Sequence, residues 1–352
     1  MVLYRKYRPQ NIAQLDSTEV RDHIMRVLTS SFIPHALLFC GPRGTGKTSA
    51  ARIVAKVLNC EHPVKTKSDK EKTIEPCNEC DSCRTITEGS HLDVFEIDAA
   101  SNRGIEEIRD LREKIRLAPT QGKYKIYIID EVHMLTNEAF NALLKTLEEP
   151  PAHAVFILAT TDPDKLPSTI HSRCLAIRFK RAGTGEILHS LKRVVKGEKL
   201  TVGEDVLFEV AQLSDGSFRD ATKLLEQAVS ENALDIGKIQ KLFGKHGKSP
   251  RAFIELLVLK KPTELLEFIK EMEENGSDVR LFVSELLEEF HDLLLASYGI
   301  SAEEKDKKKI TLTPMEINKL IKLFSTVYVS LRGISNPILP LEVAVIDWTE
   351  GR

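Results

Sequence analysis

Residues 41–48 read GPRGTGKT, a match to G-x-x-x-x-G-K-[ST] placed between the apolar run HALLFC (35–40) and the helix-like stretch SAARIVAKVLN (49–59). A strand before and a helix after separate a phosphate-binding loop from a chance glycine-rich string. Glycines let backbone N–H groups turn inward around phosphate oxygens, and the positive end of the following helix adds to the attraction. The cradle takes in Gly41, Pro42, Arg43, Gly44, Thr45, Gly46, Lys47, Thr48 and Ser49. Lys47 is expected on the β- and γ-phosphates and Thr48 on Mg²⁺.

Such a loop works only at the end of a strand in an α/β sheet, and the sequence supplies the other strands. Short runs rich in β-branched and aromatic residues recur at 35–40, 93–99 (DVFEIDA), 125–130 (KIYIID), 154–160 (AVFILAT) and 175–179 (LAIRF). Longer amphipathic stretches separate them, which predicts an open parallel sheet of five strands covered by helices. One of those stretches, TNEAFNALLKTLEEPP (136–151), has both helix ends written into it. Thr136 is placed to cap it, Phe140, Leu143, Leu144 and Leu147 form its apolar stripe, and Pro150 and Pro151 stop it.

Hydrolysis chemistry needs an acidic group near the cradle, expected on a strand next to the loop strand. YIIDEVH (127–133) supplies Asp130 to support Mg²⁺ and Glu131 to orient and polarise the attacking water. Thr160, closing a further strand, lies where ligands of open α/β sheets collect. Arg219, in GSFRDA (216–221), is placed to reach the γ-phosphate from a helical region. Residues 181–186 (RAGTGE) end the strand signal. Beyond them, helical segments are punctuated by Gly203, SDGS (214–217) and ENALD (231–235), and a second helical block runs from Ser249 to Trp348. The charged stretch EEKDKKK (303–309) interrupts that block as an exposed loop or a nucleic-acid contact.

At 352 residues the chain exceeds what one core usually supports, so two or three domains are expected. No run of eighteen apolar residues occurs and the N-terminus MVLYRKYRPQ lacks a secretory h-region, so no membrane association and a cytoplasmic location are expected. The net charge of −2 conceals an asymmetry: residues 1–60 carry nine Lys/Arg against three Asp/Glu, and residues 264–292 carry two against ten. A polyanion, if one binds, faces the N-terminal part; plain surface solvation accounts for the counts equally well.

Four of the six cysteines fall between Cys60 and Cys83, which favours a metal over disulfides. Cys77-x-x-Cys80-x-x-Cys83 brings three sulfurs to one tetrahedral ion, and thiolates select zinc. Cys60 is the expected fourth ligand, with His62 as its competitor. The intervening EHPVKTKSDKEKTIEP (61–76) is expected to be a polar surface loop, a length tolerated because loop-closure cost grows slowly. A Cys₄ site has no open position, so the ion is expected to be structural and remote from the nucleotide. Cys40 and Cys174 are expected to be buried and unligated.

Taken together, YRKYRP, HALLFCGPRGTGKTS, LNC with CNECDSC, EIDAASNRG, YIIDEVHMLTNEAFNALLKTLEEPP, FILATTDPDKLPSTIHSRC and DGSFRDA resemble the gamma/tau subunits of the bacterial DNA polymerase III clamp loader. The resemblance covers nearly all of residues 1–245, and NPILPLEVAVIDW (336–348) looks like that family's collar. It implies an AAA+ domain at 1–180 with a zinc-binding insertion at 60–83, a helical lid at 181–245 and a helical collar at 246–352. It further implies ATP, Mg²⁺ and Zn²⁺ as cofactors, and further copies of the chain, delta and delta-prime subunits, a sliding clamp and primer-template DNA as partners. The implied activity is ATP-driven opening and loading of the clamp, polymerisation itself belonging to other subunits. Arg173, in Ser172-Arg173-Cys174, matches the finger that completes a neighbour's ATP site.

By the same resemblance Tyr4, Arg5, Tyr7, Arg8 and Pro9 lie near adenine and ribose, and Asn102 and Arg103 face the DNA backbone. IAQLDSTEV (12–20) departs from the family's hydrophobic-hydrophobic-Gly-Gln block, which leaves the base contacts there open. Two other readings compete. A structural stator of the same architecture would have lost loop or acidic residues that this chain keeps, and a Holliday-junction helicase motor would carry a C-terminal winged helix and no cysteine knuckle.

Overall fold

A computed structural model describes residues 2–67, 72–102, 111, 113–243, 250–274, 278–299, 312–331, 334 and 336–351. Arg103 and the charged stretch 303–309 lie outside the described residues. The chain divides into two compact units, Met1–Ile239 and Gln240–Arg352.

The first unit is built on a sheet of strands β1 (Ala36–Cys40), β4 (Val94–Asp98), β5 (Lys125–Asp130), β6 (Ala154–Thr160) and β7 (Leu175–Arg178), in the order β4-β5-β6-β1-β7. All four pairings are parallel, and Cys40 stands opposite Thr160. The central strands are buried on both faces, which is why they read as continuous apolar runs; the edge strands β4 and β7 are partly exposed. Alternation sends Leu37, Phe39, Ile126, Ile128 and Ile157 to one core, against the helices Thr18–Thr29 and Lys47–Asn59. Leu38, Tyr127, Ile129, Phe156 and Leu158 face the other, with Leu143 and Leu147 of the helix Asn137–Glu148. Thr136 caps that helix as its sequence indicates, accepting the Ala139 N–H.

Two expectations are corrected. The acidic strand β5 is not next to the loop strand: β6 lies between them. Adjacent strands are about 4.8 Å apart, so the loop helix bridges the remaining gap by sending Thr48 toward Asp130. Residues 61–76 are more than a loop, because β2 (Val64–Lys67) and β3 (Lys72–Glu75) pair as an antiparallel hairpin. Val64, Thr66, Thr73 and Ile74 carry enough β-branched character to pair within a polar stretch.

Helices Thr184–Glu198, Glu204–Leu213 and Phe218–Ser230 complete most of this unit around Ile187, Leu191, Val210 and Leu225. Among its described residues the second unit packs five helices, from Pro250–Val258 to Leu339–Glu350, around Phe253, Phe268, Phe282, Phe290 and Phe324. Trp348 donates its indole N–H to the Leu257 carbonyl at 3.0 Å, closing the last helix onto the first. Among the described residues no helix is long and apolar enough to cross a membrane.

Candidate functional site

A cavity of about 740 Å³ opens at the carboxyl ends of β1 and β5. Its floor is the loop Arg43–Ser49, whose backbone turns through positive φ at Gly44 (79°) and Gly46 (99°). Gly44 has a second constraint: a Cβ there would lie 1.9 Å from the Ser217 hydroxyl, so only glycine lets the loop pass beneath the segment carrying Arg219. At Gly41 a Cβ would meet the Phe179 carbonyl. Gly41 and Pro42 use their carbonyls to accept the Lys47 ammonium at 2.7 and 2.8 Å. Burial lowers the Lys47 pKa, and the nearby Glu131 and Asp130 carboxylates oppose that shift.

The acidic pair meets the loop directly. Thr48 donates its hydroxyl to Asp130 Oδ2 at 2.6 Å. Glu131 takes a left-handed conformation, φ 48°, a cost of about 1–2 kcal/mol for a residue with a Cβ. Its carboxylate accepts the Thr161 hydroxyl at 2.9 Å and lies 3.4 Å from His133 Nδ1. Strain of this kind persists where surrounding contacts enforce it. Thr160 is fully buried and its hydroxyl meets His133 Nδ1 at 2.9 Å, so the threonine that lines the cavity at this strand end is Thr161. Thr160 ends β6 and Thr161 lies one residue beyond it, and nothing in "ATTD" marks which one faces the cavity.

Tyr4, Arg5, Tyr7, Arg8 and Pro9 all line the cavity, as do Arg219 and Phe218. The Arg219 guanidinium stands 4.9 Å from the centre of the Tyr4 ring, and Arg5 with Arg219 holds the Tyr4 phenol below its usual pKa. In the altered stretch, Leu15, Asp16, Ser17 and Val20 supply wall. Asp16, only 4% exposed, accepts Arg193 Nη1 and Nη2 at 3.1 and 2.8 Å and His189 Nδ1 at 3.0 Å. This bidentate pair joins the N-terminal segment to the helix Thr184–Glu198 across the cavity wall. It escapes sequence reading because 177 residues separate its members.

Arg173 is elsewhere: it sits on the surface, donating to Glu148 Oε1 at 2.7 Å and the Thr169 carbonyl at 2.9 Å, and does not line this cavity. Asn102 closes a turn on the Asp98 carbonyl.

The opposite end of the helix Lys47–Asn59 leads into a second cluster. The sulfurs of Cys60, Cys77, Cys80 and Cys83 all lie within 4.8 Å of one another, with Cys60–Cys80 and Cys77–Cys83 at 4.0 Å. A tetrahedral ion at about 2.3 Å from each sulfur needs separations close to these. Backbone N–H groups of Cys77, Cys80 and Cys83 donate to Cys60, Cys77 and Cys80 sulfurs. Burial opposes ionisation of Cys77, but N–H donors from Glu79 and Cys80 outweigh it and bring its pKa down to about 6. The buried Lys56 ammonium stands close to Cys83, Cys60 and Cys77 and favours their thiolates, against burial, which pushes the Cys60 and Cys83 thiols up. Donor set and charge therefore suit a closed Cys₄ zinc site. His62 is exposed and outside the cluster, and Cys40 and Cys174 pack against the sheet's second core.

A parallel sheet in this order, with the glycine loop after β1 and the acidic pair after β5, is that of a P-loop AAA+ module. In solved structures the fold recurs in the RuvB Holliday junction branch migration motor of Thermotoga maritima, at TM-score 0.51 and 16% identity, covering 72% of this chain and 79% of that one. A family model described as DNA polymerase III, delta subunit, matches residues 17–183. The chain is 41% identical to DNA polymerase III subunit tau of Bacillus subtilis over 98% of its own length and 62% of that protein. It is 36% identical to subunit gamma of Buchnera aphidicola subsp. Schizaphis graminum, covering 88% of this chain and 86% of that one. The chain belongs to the gamma/tau subunit family of DNA polymerase III.

Proposed function

We propose that the chain is the ATP-hydrolysing motor subunit of a clamp loader, working with further copies of itself and with delta and delta-prime subunits to open a sliding clamp and load it onto primer-template DNA. The observation that carries this reading is the contact of Thr48 with Asp130 beside Glu131, which Thr161 orients at the edge of the cavity. Thr48 and Asp130 would hold Mg²⁺, which supplies charge neutralisation on the phosphates. Lys47 exchanges its two loop carbonyls for phosphate oxygens, and the N–H groups of Gly44–Thr48 cradle them. Glu131 orients and polarises the attacking water, and the Thr161 hydroxyl holds its carboxylate in place. Arg219 reaches the phosphates from the helical part, so that segments 181–245 act as a lid that senses the nucleotide.

Arg173, lying outside its own chain's cavity, fits a role in a neighbour's site, where an added positive charge stabilises the transition state. Residues 246–352 serve as the collar, the acting compartment is the cytoplasm, and Asn102 faces the DNA backbone. Cys60, Cys77, Cys80 and Cys83 would hold Zn²⁺, whose contribution is structural. The deciding experiment measures ATP turnover of the chain with delta and delta-prime, with and without sliding clamp and primed DNA. Turnover that rises when clamp and DNA are added is the expected result. Tight ATP binding with no turnover in the full assembly would instead make the chain a stator.

A further inference from the structure

Glu75, the last residue of β3, stands two positions before the ligand Cys77 and reaches away from the metal cluster. Its carboxylate accepts the backbone N–H groups of Ile12 at 2.7 Å and Ala13 at 2.8 Å, one oxygen to each. Ile12 is fully buried, so this turn of the N-terminal segment has a fixed position. A second tie runs alongside. Lys56, 1% exposed, donates to Asn78 Oδ1 at 2.8 Å, inside the Cys77–Cys80 turn, and to Gln10 Oε1 at 2.7 Å. Thr87, on the helix that begins at the knuckle, also donates to Gln10 Oε1, and Gln10 in turn donates to the Arg8 carbonyl at 3.0 Å.

Arg8 and Pro9 precede these contacts and Leu15, Asp16 and Ser17 follow them, and all five line the nucleotide cavity. The segment has little structure of its own, a four-residue helix at Leu3–Lys6 and one 3₁₀ turn at Ile12–Gln14. Its place along the cavity is therefore decided by what grips it. At the two ends the helical part holds it: Lys6 pairs with Glu198, the Leu3 N–H donates to Glu226 and Arg219 stands over the Tyr4 ring at one, and Asp16 meets Arg193 and His189 at the other. In the middle, besides the burial of Ile12 and Leu15 in the core, the polar grip is the knuckle and its hairpin. Groups hydrogen-bonded around a metal site and the ligands of that site orient one another.

We propose that the cysteine knuckle sets nucleotide affinity: with its ion bound it holds Glu75, Lys56 and Asn78 in register, and through Gln10, Ile12 and Ala13 these fix the wall of the cavity. Glu75, Lys56 and Gln10 are positioning residues, since none lines the cavity. The proposal rests on reading the cavity as an ATP site, and one arm of its test does not.

That arm is amide hydrogen exchange across residues 3–10 without nucleotide, in the full chain with zinc, after metal removal verified by metal analysis, and in Glu75→Ala. Exchange in the metal-free chain and in Glu75→Ala is expected to quicken roughly tenfold, with Glu75→Ala still holding one zinc per chain. In the second arm, the dissociation constant for a fluorescent ATP analogue rises about five- to twentyfold in both cases, and removing zinc from Glu75→Ala adds little further, as coupled sites require. Glu75→Gln, which keeps one carbonyl acceptor, falls between. Gln10→Ala tests the same path from the cavity side and stands in if Glu75→Ala does not fold. An N-terminal segment equally protected with and without metal overturns the proposal, as does unchanged analogue affinity in the zinc-bound Glu75→Ala and Gln10→Ala chains. A wild-type chain that binds no analogue removes the ATP reading, and the exchange arm then decides the coupling alone.

Discussion

The helix Lys47–Asn59 has a polar cluster at each end, and the two are opposite in kind. Its N-terminus carries Lys47 and Thr48 into an open cavity of about 740 Å³ lined by loop residues, four carboxylates and several arginines. Its C-terminus runs into Cys60 and a knuckle in which four sulfurs face one another, with no space for a further ligand around a tetrahedral ion. The helix dipole suits the first end to phosphate. At the second, the buried Lys56 offsets thiolate charge. On the proposed function the contrast separates chemistry from scaffolding: the open end keeps a strained Glu131 beside a cavity, and the closed end has its four sulfurs turned on one another.

The sharpest way to break this contrast is Arg173→Ala. If the open end is completed by a neighbour, turnover in the assembly falls by about 10³-fold or more, analogue binding by the isolated chain is unchanged, and mixing with wild type restores activity at some interfaces. Loss of binding in the isolated chain would place Arg173 in its own site. Next, Glu131→Gln is expected to bind ATP and to lose about 10²- to 10⁴-fold in turnover; normal steady-state hydrolysis would remove Glu131 from the water-orienting role.

At the closed end, Cys80→Ser should drop metal content from one zinc per chain toward none and lower the unfolding midpoint by about 5–10 °C. A variant that retains full zinc would exclude the four-cysteine set. The smallest effect is expected where the two ends share a wall. Asp16→Asn, which breaks the bidentate bond to Arg193, should weaken ATP-analogue binding by about tenfold, the scale of one charge-assisted hydrogen bond. The turnover number at saturating ATP is expected to stay within about threefold of wild type, and a loss confined to turnover would move the pair from affinity to chemistry.

Much of the open end was legible because its parts are local. All five sheet strands lie where apolar runs stand, and the capped helix begins after Thr136 as written. The glycine loop, the acidic pair and the four cysteines are short motifs whose spacing limits their geometry. What could not be read were pairings between remote segments: Thr161 with Glu131, Asp16 with Arg193, and Glu75 on the amides of Ile12 and Ala13. The hairpin β2–β3 was hidden for a different reason, since its alternation of threonine, valine and lysine is too polar to announce a strand.

By itself, then, the amino-acid order determined the class of fold, the position of the glycine loop and the grouping of the cysteines, because periodicity and short-range spacing act within a few residues and need no knowledge of the rest of the chain. Only the tertiary structure decided that β6 separates the loop strand from the acidic strand, which threonine meets Glu131, and that the knuckle grips the segment walling the cavity. Those outcomes depend on which distant surfaces bury one another, and a hydrogen bond between residues 63 positions apart leaves no periodic trace in the sequence.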